Sequence, residues 1–128
     1  MTTRSTPAIA PLREAMRIAG EKVGADRSGD RSFAVHDPYT EAVVGSVPKA
    51  TVEDVRRAIA IAHGYKARLT RYERASILNR AAALVRERTQ QIAQLISAES
   101  GLCIKDGLYE VGRVADVLVY GANEALRD

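Results

Sequence analysis

The stretch His36-Asp37-Pro38-Tyr39-Thr40-Glu41-Ala42-Val43-Val44-Gly45-Ser46-Val47-Pro48 decides how this chain folds, because the spacing of apolar residues changes at its end. Pro38 occupies the second position of a four-residue turn, where its fixed φ is already suitable. Val43 to Val47 is β-branched around Gly45, and upstream Phe33 and Val35 alternate with Ala34 and His36. Two short strands joined by a turn are predicted. After Pro48 the period becomes helical: Val52, Val55, Ala58, Ile59, Ala62 and Tyr65 share one face, with Thr51 and Asp54 spaced as an N-cap box. A first helix is expected from about Val52 to Lys66.

Further along, Thr70-Arg71-Tyr72-Glu73 is a second capping box, since Glu73 can reach back to the Thr70 amide, and a helix beginning at Arg71 follows. Its apolar stripe is Ile77, Leu78, Ala81, Leu84 and Val85. The stripe breaks near Thr89 and resumes with Ile92, Leu95 and Ile96, to end before Gly101, a residue suited to a left-handed helix stop. From about Lys105, the spacing of Leu108, Val111, Val114, Ala115, Leu118 and Ala122 predicts a fourth helix. Upstream, Met16 to Val23 reads as a short strand and Gly24 to Ser32 as a loop by composition. Residues 1–15 read as a mobile tail, and 16–128 as the folded part. The fold class is α+β: short strands with a β-hairpin, then about four helices.

With 128 residues, 46% apolar and 27% charged, the composition is that of a globular chain and excludes disorder throughout or a fibrous repeat. No run approaches the roughly 20 apolar residues that span a bilayer, and no secretory signal precedes the fold, so no membrane partner and a cytoplasmic address are expected. The net charge of +3 is uneven: Tyr65 to Gln91 holds seven basic and two acidic residues, Ile92 to Asp128 three and six. A basic stripe on an amphipathic helix is a solvated face, and one Phe and five Tyr offer little base stacking, so no nucleic-acid partner is expected.

The residues contain no complete catalytic constellation. Gly107 and Gly112 have phosphate-loop spacing, but Arg113-Val114 follow where Lys and Ser or Thr are required; the glycines read instead as points of close backbone approach. No dinucleotide-binding G-x-G-x-x-G occurs. Cys103, flanked by Leu102 and Ile104 without a nearby histidine, reads as a small core residue. His36 reads as a turn residue and His63 as a helix-surface residue, and neither spacing makes a metal site.

The hairpin stretch resembles the N-P-x-T-G-E-x-x-G-x-V-P signature of the aldehyde dehydrogenase superfamily. Thr51-Val52-Glu53-Asp54-Val55 with Ala58 is similar to that family's first helix, Arg71-Tyr72-Glu73-Arg74-Ala75-Ser76-Ile77-Leu78 to its E-R-x-x-I-L start, and Glu99-Ser100-Gly101 to its E-T-G stop. The Arg-Tyr-Glu-Arg start and Leu108-Tyr109-Glu110-Val111-Gly112-Arg113 look closest to the phosphonoacetaldehyde dehydrogenase branch. Two departures stand out. Glu41 takes the place of the turn glycine, and Leu102 follows the stop where relatives often carry Lys.

The resemblance implies that 16–128 is the N-terminal part of a discontinuous cofactor-binding domain of an α/β, Rossmann-type fold, without its sheet core. It implies a longer, homo-oligomeric enzyme that oxidises phosphonoacetaldehyde or a similar small aldehyde to the carboxylate with NAD or NADP. There a cysteine thiolate adds to the carbonyl, hydride leaves to nicotinamide, and water hydrolyses the thioester. The family's nucleophile, base and nucleotide contacts lie downstream of these residues. The chain alone is therefore expected to bind no cofactor and to oxidise no aldehyde, and it has no catalytic residue.

Some relatives hold a structural monovalent cation near positions matching Asp37 and Glu99, which here also read as solvated carboxylates. In relatives that act on phosphorylated or phosphonylated aldehydes, an E-V-x-R arginine faces the substrate anion. Glu110-Val111-Gly112-Arg113 matches it, making Arg113 the candidate substrate-binding residue, lined up with Tyr109 and Tyr120; a surface ion pair with Glu110 or Asp116 is the alternative. The competing reading of the whole chain is a free-standing helical interaction module or a truncated relic without catalysis.

Overall fold

In the computed structural model, which describes residues 10–127, the chain divides into two units, Met1–Tyr65 and Lys66–Asp128. The first contains five short strands: β1 (Leu12–Arg13), β2 (Met16–Ile18), β3 (Glu21–Val23), β4 (Ser32–His36) and β5 (Val43–Pro48), followed by helix α1 (Val52–Gly64). A 3-10 turn, Gly29–Arg31, leads into β4. The second contains α2 (Arg71–Glu87), α3 (Thr89–Ser100) and α4 (Ile104–Ala125). This is the expected succession of short strands and four helices.

The predicted hairpin is β4–β5. Phe33 pairs with Val47, Ala34 with Ser46 and Val35 with Gly45; the register then slips, so that His36 pairs with Val43. The slip leaves Val44 as an extra residue, a β-bulge, and Val44 and Gly45 are both buried. In the turn, Asp37 Oδ1 accepts from the Tyr39 and Thr40 amides at 2.9 and 2.8 Å, and the Glu41 amide donates to Asp37 O at 2.9 Å. His36 Nδ1 donates to Glu41 O at 2.9 Å; His36, read from sequence as a turn residue, is the last residue of β4 and its side chain braces the turn that follows.

Glu41 has φ 59, the left-handed conformation that favours glycine. An L side chain there costs about 1 kcal/mol or more. Glu41→Gly should therefore raise the stability of this unit by about 0.5 to 1 kcal/mol, as a higher urea midpoint, after allowance for the greater freedom of glycine in the unfolded chain. An unchanged or lower midpoint would count against strain at this position.

Two strand expectations are corrected. The tail over residues 1–15 is too long: Leu12–Arg13 forms β1, parallel to β5, with Leu12 opposite Gly45 and Arg13 opposite Ser46. Its partner is remote in sequence, which composition cannot reveal; residues 1–9 lie outside the described residues. Met16 to Val23 is two strands, β2 and β3, turning at Ala19-Gly20 with φ 52 and 84. Positive φ at both central positions is the hairpin geometry usually announced by Asn-Gly or Asp-Gly, and Ala19 conceals it.

Both capping boxes form. Thr51 Oγ1 accepts from the Asp54 amide, and Thr70 Oγ1 from the Glu73 amide, each reciprocated by the acid. α2 and α3 meet at the single residue Arg88, and α3 stops at Gly101 with φ 73. In the helical unit the buried residues are Ala75, Ala82, Ala93, Gly107, Val111, Ala115 and Ala122, so α4 packs on α2 and α3 through small side chains. Gly107 allows that approach: a Cβ there would lie 3.0 Å from Ala93 O.

Other packing expectations are corrected. Gly112 faces open space. Ile77 and Val114 are exposed, because the buried lines run through Ala75 and Ala82 on α2 and through Val111 and Ala115 on α4. The apolar face of α1 is not buried: Val52, Val55, Ile59 and Tyr65 are 67%, 48%, 63% and 64% exposed. Cys103 is also exposed, not core, since Leu102 and Ile104 beside it are themselves exposed and enclose nothing.

Candidate functional site

The outward side of α4 carries the candidate residue. With Val111 and Ala115 turned inward, a 100° step per residue places Tyr109, Arg113 and Tyr120 together on the opposite face, and all three are exposed. Arg113 Nη1 donates to Glu110 at 3.1 Å to Oε1 and 3.4 Å to Oε2. The pair lines a shallow open groove of about 280 Å³ with Val114, Val117 and Leu118. Of the two ion pairs considered from sequence, the Glu110 pair forms; Asp116 instead lies 3.6 Å from Arg86. Such i,i+3 pairs add only a few tenths of a kcal/mol to helix stability. The groove has an apolar floor beside a guanidinium that is paired with a carboxylate. Val117 was not singled out by periodicity, which marks only inward positions.

The remaining candidates lie on different elements. Cys103 precedes α4, and its thiol donates to Asp106 Oδ2 at 3.2 Å. His63 is exposed on α1. Asp37 Oδ1 is engaged by turn amides, and Glu99 is exposed on α3. Among the described residues no group of three or more His, Cys, Asp or Glu is placed to hold a metal.

The strand unit contains a second depression, about 120 Å³, bordered by Arg13, Lys22, Arg27, Ser46 and Pro48. Its cations are partly committed: Arg13 donates to Arg27 O at 2.9 Å, and Arg27 grips Asp54 at 2.6 and 3.2 Å and Lys49 O at 2.9 Å. Here Asp54 unites the α1 capping box with a loop far away in sequence. No local pattern could have disclosed that link.

These contacts set the acid response. The Arg27 guanidinium, then the Thr51 amide and hydroxyl, hold the Asp54 carboxyl far below the usual carboxylate range. The Thr70 amide and hydroxyl lower Glu73, and the amides of Thr40 and Tyr39 lower Asp37. A depressed value in the folded chain gives stability that is fully present above the unfolded values of about 4 and is lost as pH falls below them. The urea midpoint should thus stay level from about pH 7 to 5 and fall below about pH 4. Asp54→Asn should lower the neutral midpoint and remove much of the acid slope; an undiminished slope would exclude Asp54 as its main source.

Comparison with known proteins gives a consistent result. The Aldehyde dehydrogenase family matches residues 25–128. The lactaldehyde dehydrogenase of Escherichia coli (strain K12) is 36% identical over 120 residues, which are 91% of this chain and 25% of that protein. The 3-sulfolactaldehyde dehydrogenase of Priestia aryabhattai is 34% identical over 94 residues, 73% of this chain and 20% of that protein. The crystal structure of an NAD-dependent aldehyde dehydrogenase from Sinorhizobium meliloti superposes with a TM-score of 0.82 at 28% identity, over 96% of this chain and 25% of that one. The chain thus spans about a quarter of the length of the curated relatives it matches.

Proposed function

The chain belongs to the aldehyde dehydrogenase family, and on that premise we propose that it serves as the N-terminal segment of an NAD(P)-dependent enzyme that oxidises a small anionic aldehyde to its carboxylate. Phosphonoacetaldehyde is the substrate the E-V-x-R pattern favours. The relatives' names broaden the field to lactaldehyde, which is uncharged, and 3-sulfolactaldehyde, which carries a sulfonate. The observation that supports an anionic tail is Arg113, exposed above the apolar groove of α4. A guanidinium gives a tetrahedral oxyanion two parallel hydrogen bonds.

In this reading, the folded segment, taken from 16–128 back to include β1 (Leu12–Arg13), is the first part of a discontinuous cofactor-binding domain, and the working enzyme is a cytoplasmic homo-oligomer. No described helix is long and apolar enough to cross a membrane. The parallel pair β1–β5 leads into no glycine-rich turn and helix of the kind that holds a dinucleotide, which supports placing the cofactor elsewhere. The cofactor, which accepts the hydride, is assigned to the rest of the enzyme. This segment's part is to present Arg113 and the groove to the aldehyde's far end.

The test joins this chain to the downstream three quarters of the Escherichia coli lactaldehyde dehydrogenase and follows nicotinamide reduction. The joined enzyme should oxidise phosphonoacetaldehyde or 3-sulfolactaldehyde in preference to uncharged aldehydes, while the isolated 128-residue chain gives no turnover with NAD or NADP. A joined enzyme indifferent to the anionic group would overturn the substrate assignment. Turnover by the isolated chain that survives Cys103→Ala would reveal a site elsewhere in it.

A further inference from the structure

Building on the anionic-aldehyde reading, we propose that Glu110 is a positioning residue that sets how strongly the charge on the substrate counts at Arg113. Glu110 holds one corner of the guanidinium, Nη1, with both carboxylate oxygens within 3.4 Å. Arg113 has no other partner among the described residues, so its Nη2 and Nε donors remain as a fork. An anion received by that fork lies within one guanidinium width of the Glu110 carboxylate. Glu110 therefore acts in two opposed ways: it aims the arginine, and it repels what the arginine attracts.

The two side chains are 44% and 62% exposed, so the repulsion is moderated by solvent but not abolished. For charges roughly 6 Å apart in a medium approaching water, it weakens binding by about three- to fivefold for each negative charge on the substrate. It is nothing for an uncharged aldehyde and compounds for a dianion. Glu110 thereby tempers the preference for a doubly charged phosphonate over a singly charged sulfonate. Its small contribution to helix stability is a separate matter, because ligand charge enters only when a ligand is bound.

The experiment uses the joined enzyme at about pH 8, above the second ionisation of a phosphonate at roughly 6 to 7. Three aldehydes form a charge series: lactaldehyde, 3-sulfolactaldehyde and phosphonoacetaldehyde. Glu110→Gln keeps a hydrogen-bond acceptor and removes the charge. Relative to its effect on the first, it should lower KM about three- to fivefold for the second and about ten- to twenty-five-fold for the third. Glu110→Asp keeps the charge and should restore the wild-type ranking. If Glu110→Gln folds poorly, Glu110→Ala removes the same charge and must show the same graded order.

An equal change for all three aldehydes, or none, would overturn the assignment of Glu110. If Arg113→Ala in the same enzyme lowers kcat/KM for the charged aldehydes but not for lactaldehyde, only that assignment falls. If Arg113→Ala affects all three alike, the anionic-substrate reading falls, and Glu110 with it.

Discussion

Arg113→Ala in the joined enzyme is expected to lower kcat/KM for phosphonoacetaldehyde about ten- to a hundredfold while leaving acetaldehyde nearly unchanged. The magnitude follows from the bond that is lost: a charge-assisted hydrogen bond contributes about 1.5 to 3 kcal/mol, and each 1.4 kcal/mol is a factor of about ten. The selectivity follows from position. Arg113 stands beside a groove floored by Val114, Val117 and Leu118, so an aldehyde without an anionic tail can occupy the apolar part without touching the guanidinium. Arg113→Lys is a useful companion, because an ammonium keeps the charge without the planar fork and should recover only part of the loss. Steady-state kinetics on the two aldehydes decides. Equal losses on both, or none on either, would return Arg113 to the role of Glu110's surface partner.

The second large effect concerns Gly45, at the centre of the three-stranded sheet. β5 lies between β1 and β4, and a Cβ on Gly45 would come within 2.7 Å of the Leu12 carbonyl oxygen. That oxygen belongs to backbone and cannot swing aside like the end of a flexible side chain. Gly45→Ala must therefore push β1 from the sheet or distort β5, at a cost of about 1 to 3 kcal/mol, with Gly45→Val worse. Because β1 has only two residues, separation is the expected outcome. The Glu14 amide, which donates to Ser46 O at 3.2 Å, should then lose its protection from hydrogen exchange. A variant that keeps both its urea midpoint and this protection would show that the close approach can relax.

What could be read from the sequence was mostly local. Thr51 with Asp54, and Thr70 with Glu73, fix two helix starts within four residues each, and Gly101 fixes a stop by its own conformation. The hairpin around Pro38 was legible for the same reason. Features decided at a distance were not: the pairing of Leu12 with Gly45, and the grip of Arg27 on Asp54. Periodicity placed α1 correctly but could not tell which apolar stripe becomes buried, and on α2 it favoured Ile77 over Ala75 because the larger side chain dominates a hydrophobicity pattern. At the candidate site, three-residue spacing announced the Arg113–Glu110 ion pair, whereas Arg113 became a substrate-binding candidate only through the E-V-x-R resemblance. The groove beside them depends on which neighbours stay uncovered, which one-dimensional spacing does not encode.

The buried positions of the helical unit impose a one-sided constraint on how its sequence can drift. Ala82, Ala93 and Ala122 have no measurable exposure, and Ala75 and Ala115 almost none. A side chain that is already one methyl group can create no large void when shortened, so a change to glycine acts chiefly through the backbone, at about 1 kcal/mol in a helix. Enlargement has no such leniency. At close-packed density, an added isobutyl group at Ala93 or Ala122 must force whole helices apart instead of filling spare space. These sites therefore have a ceiling on volume and scarcely a floor. The tolerance familiar from leucine-rich cores, where one bulky aliphatic residue replaces another, has no counterpart along these seams.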